Sequence, residues 1–374
     1  MSGIYIHIPF CRKKCAYCNF FSVSSLKNKD QFLSALIEEI YLRKGYLNDD
    51  IIDTVYFGGG TPSVLSADEI TLIINKVQNS FKLSKNPEIT LEANPESIDA
   101  KFIEGLKRTK VNRLSIGIQS FFDEDLKYLG RIHNANQALK SLDLAIKGGF
   151  TNLSADLIYS IPGMTDERWQ ENLNTLYRLG IEHFSAYSLT VEEGTILDNH
   201  IKKGKSKSFD EEVSLIQFEI LMDFAEKNGY EHYETSNFCR NSKYSLHNTS
   251  YWKGINYLGL GPSAHSYNGE SRQWNISNIT EYINSINNKI TPFELEVLSA
   301  DQKYNEYILT SLRTIWGCNA KYINDSFGKI YYENFICDSE KHLKNEYIFT
   351  EKDVYYLTRK GKFLTDLITS DLFI

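Results

Sequence analysis

Three cysteines fall within eight residues, Cys11-Arg-Lys-Lys-Cys15-Ala-Tyr-Cys18, and they are half of the six in the chain. Thiolates set so close suit a soft metal or a cluster better than a disulfide. Three of them satisfy three irons of a four-iron cluster and leave the fourth open to an outside ligand. Zinc sites also use short cysteine spacings, but usually in pairs that close a four-ligand shell. Here the nearest fourth donor is His7, and no second cysteine pair follows. The cluster is the expected reading, with zinc and unligated thiols as its rivals.

Other polar residues stand where apolar runs end. Gly58-Gly59-Gly60-Thr61-Pro62 follows the run Asp53–Phe57, Glu92 and Gln119 close two more, Asp156 lies within a fourth and Tyr187 ends a fifth. Glycines let a ligand approach the backbone closely and expose N–H donors. Glu92 and Asp156 sit in otherwise apolar segments. Such a carboxylate either forms a salt bridge across the fold or hydrogen-bonds the ribose or amine of a ligand. Arg131 precedes a helical pattern and is either a helix-flank ion pair or a carboxylate clamp through its bidentate fork. Further on, His247-Asn-Thr-Ser-Tyr251-Trp252 and Gly259–Tyr267 bring histidines and aromatic residues together.

These positions need elements to hold them. Strands are expected at Ile4–Phe10, Asp53–Phe57, Glu88–Ala93, Arg113–Ile118, Asn152–Tyr159 and Glu182–Leu189. Helices are expected between them, at Asp30–Leu47, from a Ser66 cap to Phe81, and at Asp99–Lys107, Asn134–Lys147 and Asp166–Leu179. Phe32, Leu36, Ile40 and Leu47 fall near one helical face. Glu69 stands at the capping-box position for Ser66, and Gly148 and Gly180 are stop signals. Six alternations predict a parallel α/β sheet with helices on one side. An open doubly wound sheet and a partial barrel both fit that order. In either, ligands sit at strand ends, where these polar residues fall.

The pattern changes from Val191. A polar connector spans Lys202–Ser208, a long amphipathic helix Phe209–Asn228, and an extended polar-aromatic run Tyr230–Cys239. From Pro292, helices at Asp301–Thr314 and Asp338–Leu343 precede a hairpin pair, Tyr347–Thr350 and Val354–Leu357, and a last helix ends near Leu372. Helices followed by a short hairpin suggest a winged-helix-like unit with a packing or lid role. The expected divisions are therefore 1–190, 191–291 and 292–374.

Composition narrows the class. The 374 residues carry a net charge of −7, which argues against nucleic-acid binding led by charge. No apolar run is long enough to span a membrane. The N-terminus lacks the layout of a signal peptide, and the clustered cysteines suit a reducing cytoplasm. Twenty-four tyrosines and 21 phenylalanines suit a protein that handles flat ligands, although such residues more often form core.

Tyr5-Ile-His-Ile-Pro-Phe-Cys11, Cys15, Cys18, Phe57-Gly-Gly-Gly-Thr-Pro62, Gly117-Ile-Gln-Ser-Phe121 and Leu157-Ile-Tyr-Ser-Ile-Pro-Gly163 together resemble the radical S-adenosylmethionine (SAM) proteins. More narrowly, they resemble the branch around oxygen-independent coproporphyrinogen III oxidase. The resemblance implies a partial (β/α)6 TIM-like barrel with a small C-terminal winged-helix-like domain. It implies a [4Fe-4S] cluster on Cys11, Cys15 and Cys18, with SAM chelating the open iron through its amine and carboxylate. Tyr5, Tyr17, Gly59 and Glu92 would line the SAM site. Gly60, Thr61, Gln119, Arg131 and Asp156 match positions that line a second SAM site in the oxidase.

One departure sharpens the resemblance. The oxidase has a further cysteine two residues after the third, where this sequence has Phe20. That pattern and His247-Asn-Thr-Ser-Tyr-Trp252 resemble the sister branch called HemW, the haem chaperones, thought to pass haem to acceptors such as respiratory haem enzymes. The resemblance makes His247 the expected haem ligand, through an imidazole nitrogen, with Tyr251 and Trp252 stacked on the macrocycle. A satisfied core or substrate-pocket histidine is the alternative. His265 and Cys239 are lesser candidates, and Cys318 and Cys337 read as small buried hydrophobes. Haem delivery is thus expected, with catalysis limited to SAM cleavage, and with a homodimer and transient membrane contact as further implications. The rivals are a true oxidase, which removes carbon dioxide from two propionates of coproporphyrinogen III, and a radical enzyme with another substrate.

Overall fold

The computed structural model describes residues 2–48 and 50–374. Six parallel strands carry the site: β1 (Ser2–Ile8), β2 (Ile52–Gly59), β3 (Leu83–Ala93), β4 (Arg113–Gln119), β5 (Leu153–Tyr159) and β6 (His183–Ser188). They lie side by side in chain order, with no reversal. A doubly wound sheet needs a reversal, and crossovers of one hand without it keep every helix on one face. The sheet is therefore of the barrel kind, and it does not close.

Short strands extend both edges. β7 (Glu231–Glu234) and β8 (Asn237–Cys239) continue from β6. β9 (Tyr257–Leu260) pairs parallel with β1, and β10 (His265–Tyr267), β11 (Ser271–Asn275) and β12 (Phe293–Val297) follow it antiparallel, giving twelve strands among the described residues.

Side-chain alternation divides the two faces. Ile4, Ile6, Ile8, Val55, Phe57, Ile89, Leu91, Leu114, Ile116, Leu157 and Phe184 are buried in one core. Helices Lys29–Leu42, Ala67–Ser80, Ala135–Lys147 and Asp166–Arg178 supply its other half, through Phe32, Ile73, Leu142 and the fully buried Trp169. The capping boxes at Ser66/Glu69 and Asn134/Gln137 start two of these helices. The opposite parity carries Tyr5, His7, Tyr56, Glu92, Arg113, Ser115, Gln119, Asp156 and Tyr187. Register places Tyr5 beside Tyr56, Glu92 beside Ser115, and Asp156 beside Ser185. The polar interruptions noticed in the sequence are thus one continuous concave face.

Some boundaries differ from expectation. β1 stops at Ile8, because Pro9 has no N–H to continue the ladder. The first helix ends at Leu42, and turns through Gly45 carry Leu47 back to the core. The run 230–239 is a hairpin, and the His247 segment is a short helix, Leu246–Trp252. Cys318 is buried as expected, but Cys337 is exposed on the solvent side of helix Lys329–Lys344 and is not a core residue.

A second core gathers Tyr304, Ile308, Leu312, Cys318, Ile323, Phe335, Ile348 and Tyr355. Its small sheet, β13 (Cys318–Asn319), β14 (Ile348–Glu351) and β15 (Val354–Leu357), packs with helices Ala300–Leu312, Ala320–Phe327 and Lys329–Lys344. This unit rests on the large sheet's extension: Ile315 N–H donates to Tyr233 O at 3.0 Å, and the Lys362 ammonium meets His232 Nδ1 at 3.1 Å.

Candidate functional site: a cysteine loop between two cavities

The cysteine loop is closed on itself and on the barrel. Cys11 N–H donates to Val23 O (3.0 Å), Val23 N–H to Pro9 O (2.7 Å) and Ala16 N–H to Leu129 O (3.0 Å). His7 Nε2 meets Phe21 O at 2.9 Å. The glycines ending β2 let the strand pass flush against this loop. A Cβ on Gly60 would stand 2.7 Å from Phe10 O and 2.9 Å from Ile8 O. Gly59 has φ +104°, and a Cβ there would meet the His7 ring at 2.6 Å. Close backbone approach at Gly60, and the positive φ and the His7 ring at Gly59, account for this glycine pair before any ligand is considered.

Arg131 reaches inward instead of pairing along its helix flank. Its guanidinium donates to Cys15 Sγ (3.3 Å), Asn94 Oδ1 (2.7 Å) and Gly117 O (2.8 Å). Asn94 Nδ2 donates to Thr61 Oγ1 (3.1 Å), and the Thr61 hydroxyl faces Cys11 Sγ at 3.5 Å. One hydrogen-bonded chain therefore joins two of the three thiols. Burial alone would lower the Arg131 pKa, but Tyr17, Cys15 and Glu96 outweigh it and hold the cation. Burial raises the Cys18 thiol. A fixed cation beside thiolates lowers the cost of gathering negative charge there. Among the described residues, no three His, Cys, Asp or Glu side chains converge on one ion-sized point. A cluster that takes each thiolate at a separate iron does not need such a point.

Across the cavity, Glu92 accepts from Tyr56 O–H at 2.8 Å, and the Ser115 hydroxyl lies 3.3 Å from Asp156 Oδ1. Neither carboxylate has an ion-pair partner among the described residues. Burial pushes Glu92 up to about 7, aided by the neighbouring Asp156, and raises Asp156 as well. Gln119 ends β4 at φ +65°, a conformation costly for a side chain with a Cβ. Such a pair of under-compensated acids suits a cationic or hydroxyl-rich ligand.

Cys11, Cys15, Cys18, Tyr17, Gly59, Gly60, Thr61, Glu92, Gln119, Arg131 and Asp156 all line one cavity of about 750 Å³. Tyr5 and His247 line a second, of about 1270 Å³. Asn19, Phe20, Glu92 and Tyr187 line both, so the two cavities share a wall. Phe20 is 63% exposed at that wall.

The larger cavity lies between the concave face and the C-terminal unit. Tyr56, Tyr251, Trp252 and Tyr257 line it from the first, Tyr307, Tyr322 and Phe327 from the second. His247 is buried at its base. Its Nδ1 meets Thr54 Oγ1 at 2.7 Å, its Nε2 meets Tyr251 O–H at 2.8 Å, and its ring stacks on Tyr56. Burial, with Arg113 nearby, lowers it to about 3. His265 is exposed at the rim, stacked on Trp274. Cys239 is buried in β8 and lines neither cavity.

Sequence reading passed over Asn94, which joins Arg131 to Thr61, and the pair Tyr56–Glu92. Asn94 stands directly after β3, and that position was the available signal. Tyr56 was hidden in a strand rich in large residues, and only its parity with Thr54 and Gly58 marks it as concave.

Residues 5–176 match the Radical SAM superfamily. The chain is 32% identical over 368 residues to "Heme chaperone HemW" of Bacillus subtilis, covering 97% of each chain. It is 34% identical to "Heme chaperone HemW" of Mycobacterium tuberculosis, covering 83% of this chain and 81% of that one. The Escherichia coli coproporphyrinogen III oxidase (HemN) structure superposes with a TM-score of 0.86 at 22% identity, over 99% of this chain and 89% of that one, and so shares the fold. The chain belongs to the radical SAM superfamily and, within it, to the HemW family. Membership in the superfamily implies a four-iron cluster and SAM.

Proposed function

We propose that this chain binds haem in the larger cavity and passes it to acceptor proteins, with a [4Fe-4S] cluster and SAM in the adjoining one. The observation that carries this reading is the shared wall: a slot lined by aromatic rings abuts the cysteine cavity at Phe20, Glu92 and Tyr187. The family, whose full-length relatives are named haem chaperones, favours delivery over the oxidase reaction.

In this reading Cys11, Cys15 and Cys18 hold the cluster, and Arg131 and Thr61 settle the thiolates. Tyr17, Gly59, Gly60, Gln119, Glu92 and Asp156 receive SAM, the two acids facing its cationic and hydroxyl groups. When bound, the cluster and SAM supply one-electron chemistry. His247 is neutral at pH 7 because burial depresses its pKa, and neutral imidazole is the form that ligates iron. Thr54 would keep Nδ1 oriented, and Nε2, which now meets the Tyr251 hydroxyl, would be the nitrogen offered to the iron. Residues 1–190 form the cluster-bearing barrel and 191–291 its haem-facing extension, which also takes β12 (Phe293–Val297) from the expected third division; the rest of 292–374 is a cover. No helix among the described residues is long and apolar enough to cross a membrane.

The test is a haem titration of wild-type and His247→Ala protein, followed by the Soret band, beside an anaerobic assay for coproporphyrinogen decarboxylation. Saturable haem binding with an altered Soret band in the variant is expected, with negligible protoporphyrinogen formed. Robust protoporphyrinogen formation would overturn the delivery reading. An unchanged spectrum and affinity would remove His247 as the ligand.

A further inference from the structure

The larger cavity is aromatic along most of its length but charged at one end. There, two residues of the sheet extension face two of the C-terminal unit. Arg272 of β11 pairs with Glu306 at 2.8 Å, and Lys303 pairs with Glu270 of the β10–β11 turn. Glu270 and Arg272 are two residues apart, while Lys303 and Glu306 are one turn apart on helix Ala300–Leu312. Each wall thus offers one cation and one anion, matched crosswise over the cavity. All four residues line it. Arg272 lies opposite Tyr267 in the β10–β11 register, so its guanidinium stands beside the aromatic wall.

These pairs are easily exchanged. Arg272 is 43% exposed against 21% for Glu306, and Glu270 79% against 26% for Lys303; an ion pair with one partner this open to water contributes little. A carboxylate carried on a ligand body already held by the aromatic walls meets the same cations without paying again for its own ordering. We propose that Arg272 and Lys303 are the carboxylate-recognition subsite of this cavity, taking two acid groups of a flat ligand in exchange for Glu306 and Glu270. The inference rests on the haem reading and makes the two propionates the groups recognised. The ligand then ties the sheet extension to the C-terminal unit through its own acids.

The test compares the Kd of ferric haem with that of its dimethyl ester, which keeps the iron and ring but removes both charges. The full chain is used as wild type, Arg272→Met, Lys303→Met, Glu306→Gln and Trp252→Ala. Wild type is expected to favour the free acid by about 10- to 100-fold, the size of a charge-assisted contact. Arg272→Met and Lys303→Met are each expected to erode that preference while leaving ester affinity within about twofold. Glu306→Gln opens the latch but keeps the arginine, and is expected to hold or raise affinity for the acid. If Glu306→Gln weakens the acid form as much as Arg272→Met does, the pair is a structural latch and the inference fails. If the acid preference survives both cation variants while Trp252→Ala weakens both ligands, the inference fails and the haem reading stands. If none of the variants changes either affinity, haem does not occupy this cavity, and both fall.

Discussion

Replacing Glu92 with glutamine separates what this residue does for the fold from what it does for a ligand. Glu92 is half-buried on the concave face, accepts from Tyr56 O–H and faces Asp156, and burial is the main reason its carboxyl is pushed up to about 7. The folded protein therefore holds this proton more tightly than the unfolded chain, whose carboxyl titrates near 4.5. Between those two values the folded state binds more protons, so stability falls as pH rises, and the full cost is reached above pH 7. A gap of about 2.5 pH units at about 1.4 kcal/mol each gives a limiting cost of about 3.5 kcal/mol. Glutamine keeps an acceptor for Tyr56 and cannot ionise. Glu92→Gln is expected to match wild type near pH 4, below both values, and to exceed it by about 3 kcal/mol at pH 8, in urea unfolding of cluster-free, ligand-free protein. Its SAM affinity, measured with the cluster reconstituted, is expected to fall by about tenfold or more. A variant no more stable than wild type at pH 8 would show that Glu92 ionises without cost, and the argument from under-compensated burial would be wrong.

Three further outcomes follow from the geometry. Gly60→Ala places a methyl group against two fixed carbonyl oxygens, so the cysteine loop must shift; iron content after reconstitution is expected to drop sharply, while helix content by circular dichroism stays near wild type. Arg131→Met removes the cation that joins Cys15 to Asn94 and leaves that amide's oxygen unpaired; a loss of about 1–3 kcal/mol is expected in urea unfolding, with a more labile cluster absorbance. His7, His232 and His247 are lowered to about 4, 3 and 3, each mainly by burial. Unfolded imidazoles take up protons below about 6.5 where these do not, so each contributes a stability loss of about 1.4 kcal/mol per pH unit as pH falls below that value. His232→Phe, which keeps an aromatic ring against Phe238, is expected to flatten the acid limb of the urea midpoint against pH.

Much of this architecture is legible in short stretches of chain. The alternation of β-like runs and capped helices predicts the parallel sheet, because Ser66/Glu69 and Gly148 are local signals that tertiary packing did not override. The edge strands are less legible. β7 through β12 are three to five residues long, and each is a strand only because a neighbour's edge is there to pair with it. Helix Leu246–Trp252 escaped notice for a related reason: its seven residues show no apolar period, since it packs polar groups inward. His247 N–H reaches Glu88, and its ring reaches Thr54, 193 positions away in sequence. The positions of the three cysteines were evident from spacing, but the chain of hydrogen bonds joining Arg131, Asn94 and Thr61 crosses three strand ends and has no sequence period.

The alternation of side chains also explains why two cavities share one wall. Six parallel strands without a reversal present one parity to the helices and the other to a single concave face. Tyr5, Tyr56, Glu92, Asp156 and Tyr187 are therefore obliged to lie on that face, and a slip of one residue in any strand would exchange its polar set for an aliphatic one. Glu92 of β3 and Tyr187 of β6 stand where the cysteine cavity gives way to the aromatic one. The cysteine loop closes the remaining gap with Asn19 and Phe20, directly after Cys18. A side chain at position 20 must then face both cavities. A thiol there would add a sulfur to the cysteine side, whereas the phenylalanine present adds apolar ring surface to a slot already lined by tyrosine and tryptophan. In the proposed haem reading, the identity of this one residue ties the cysteine loop to the flat ligand and gives the cysteine cavity a direct contact through which its occupancy bears on the slot.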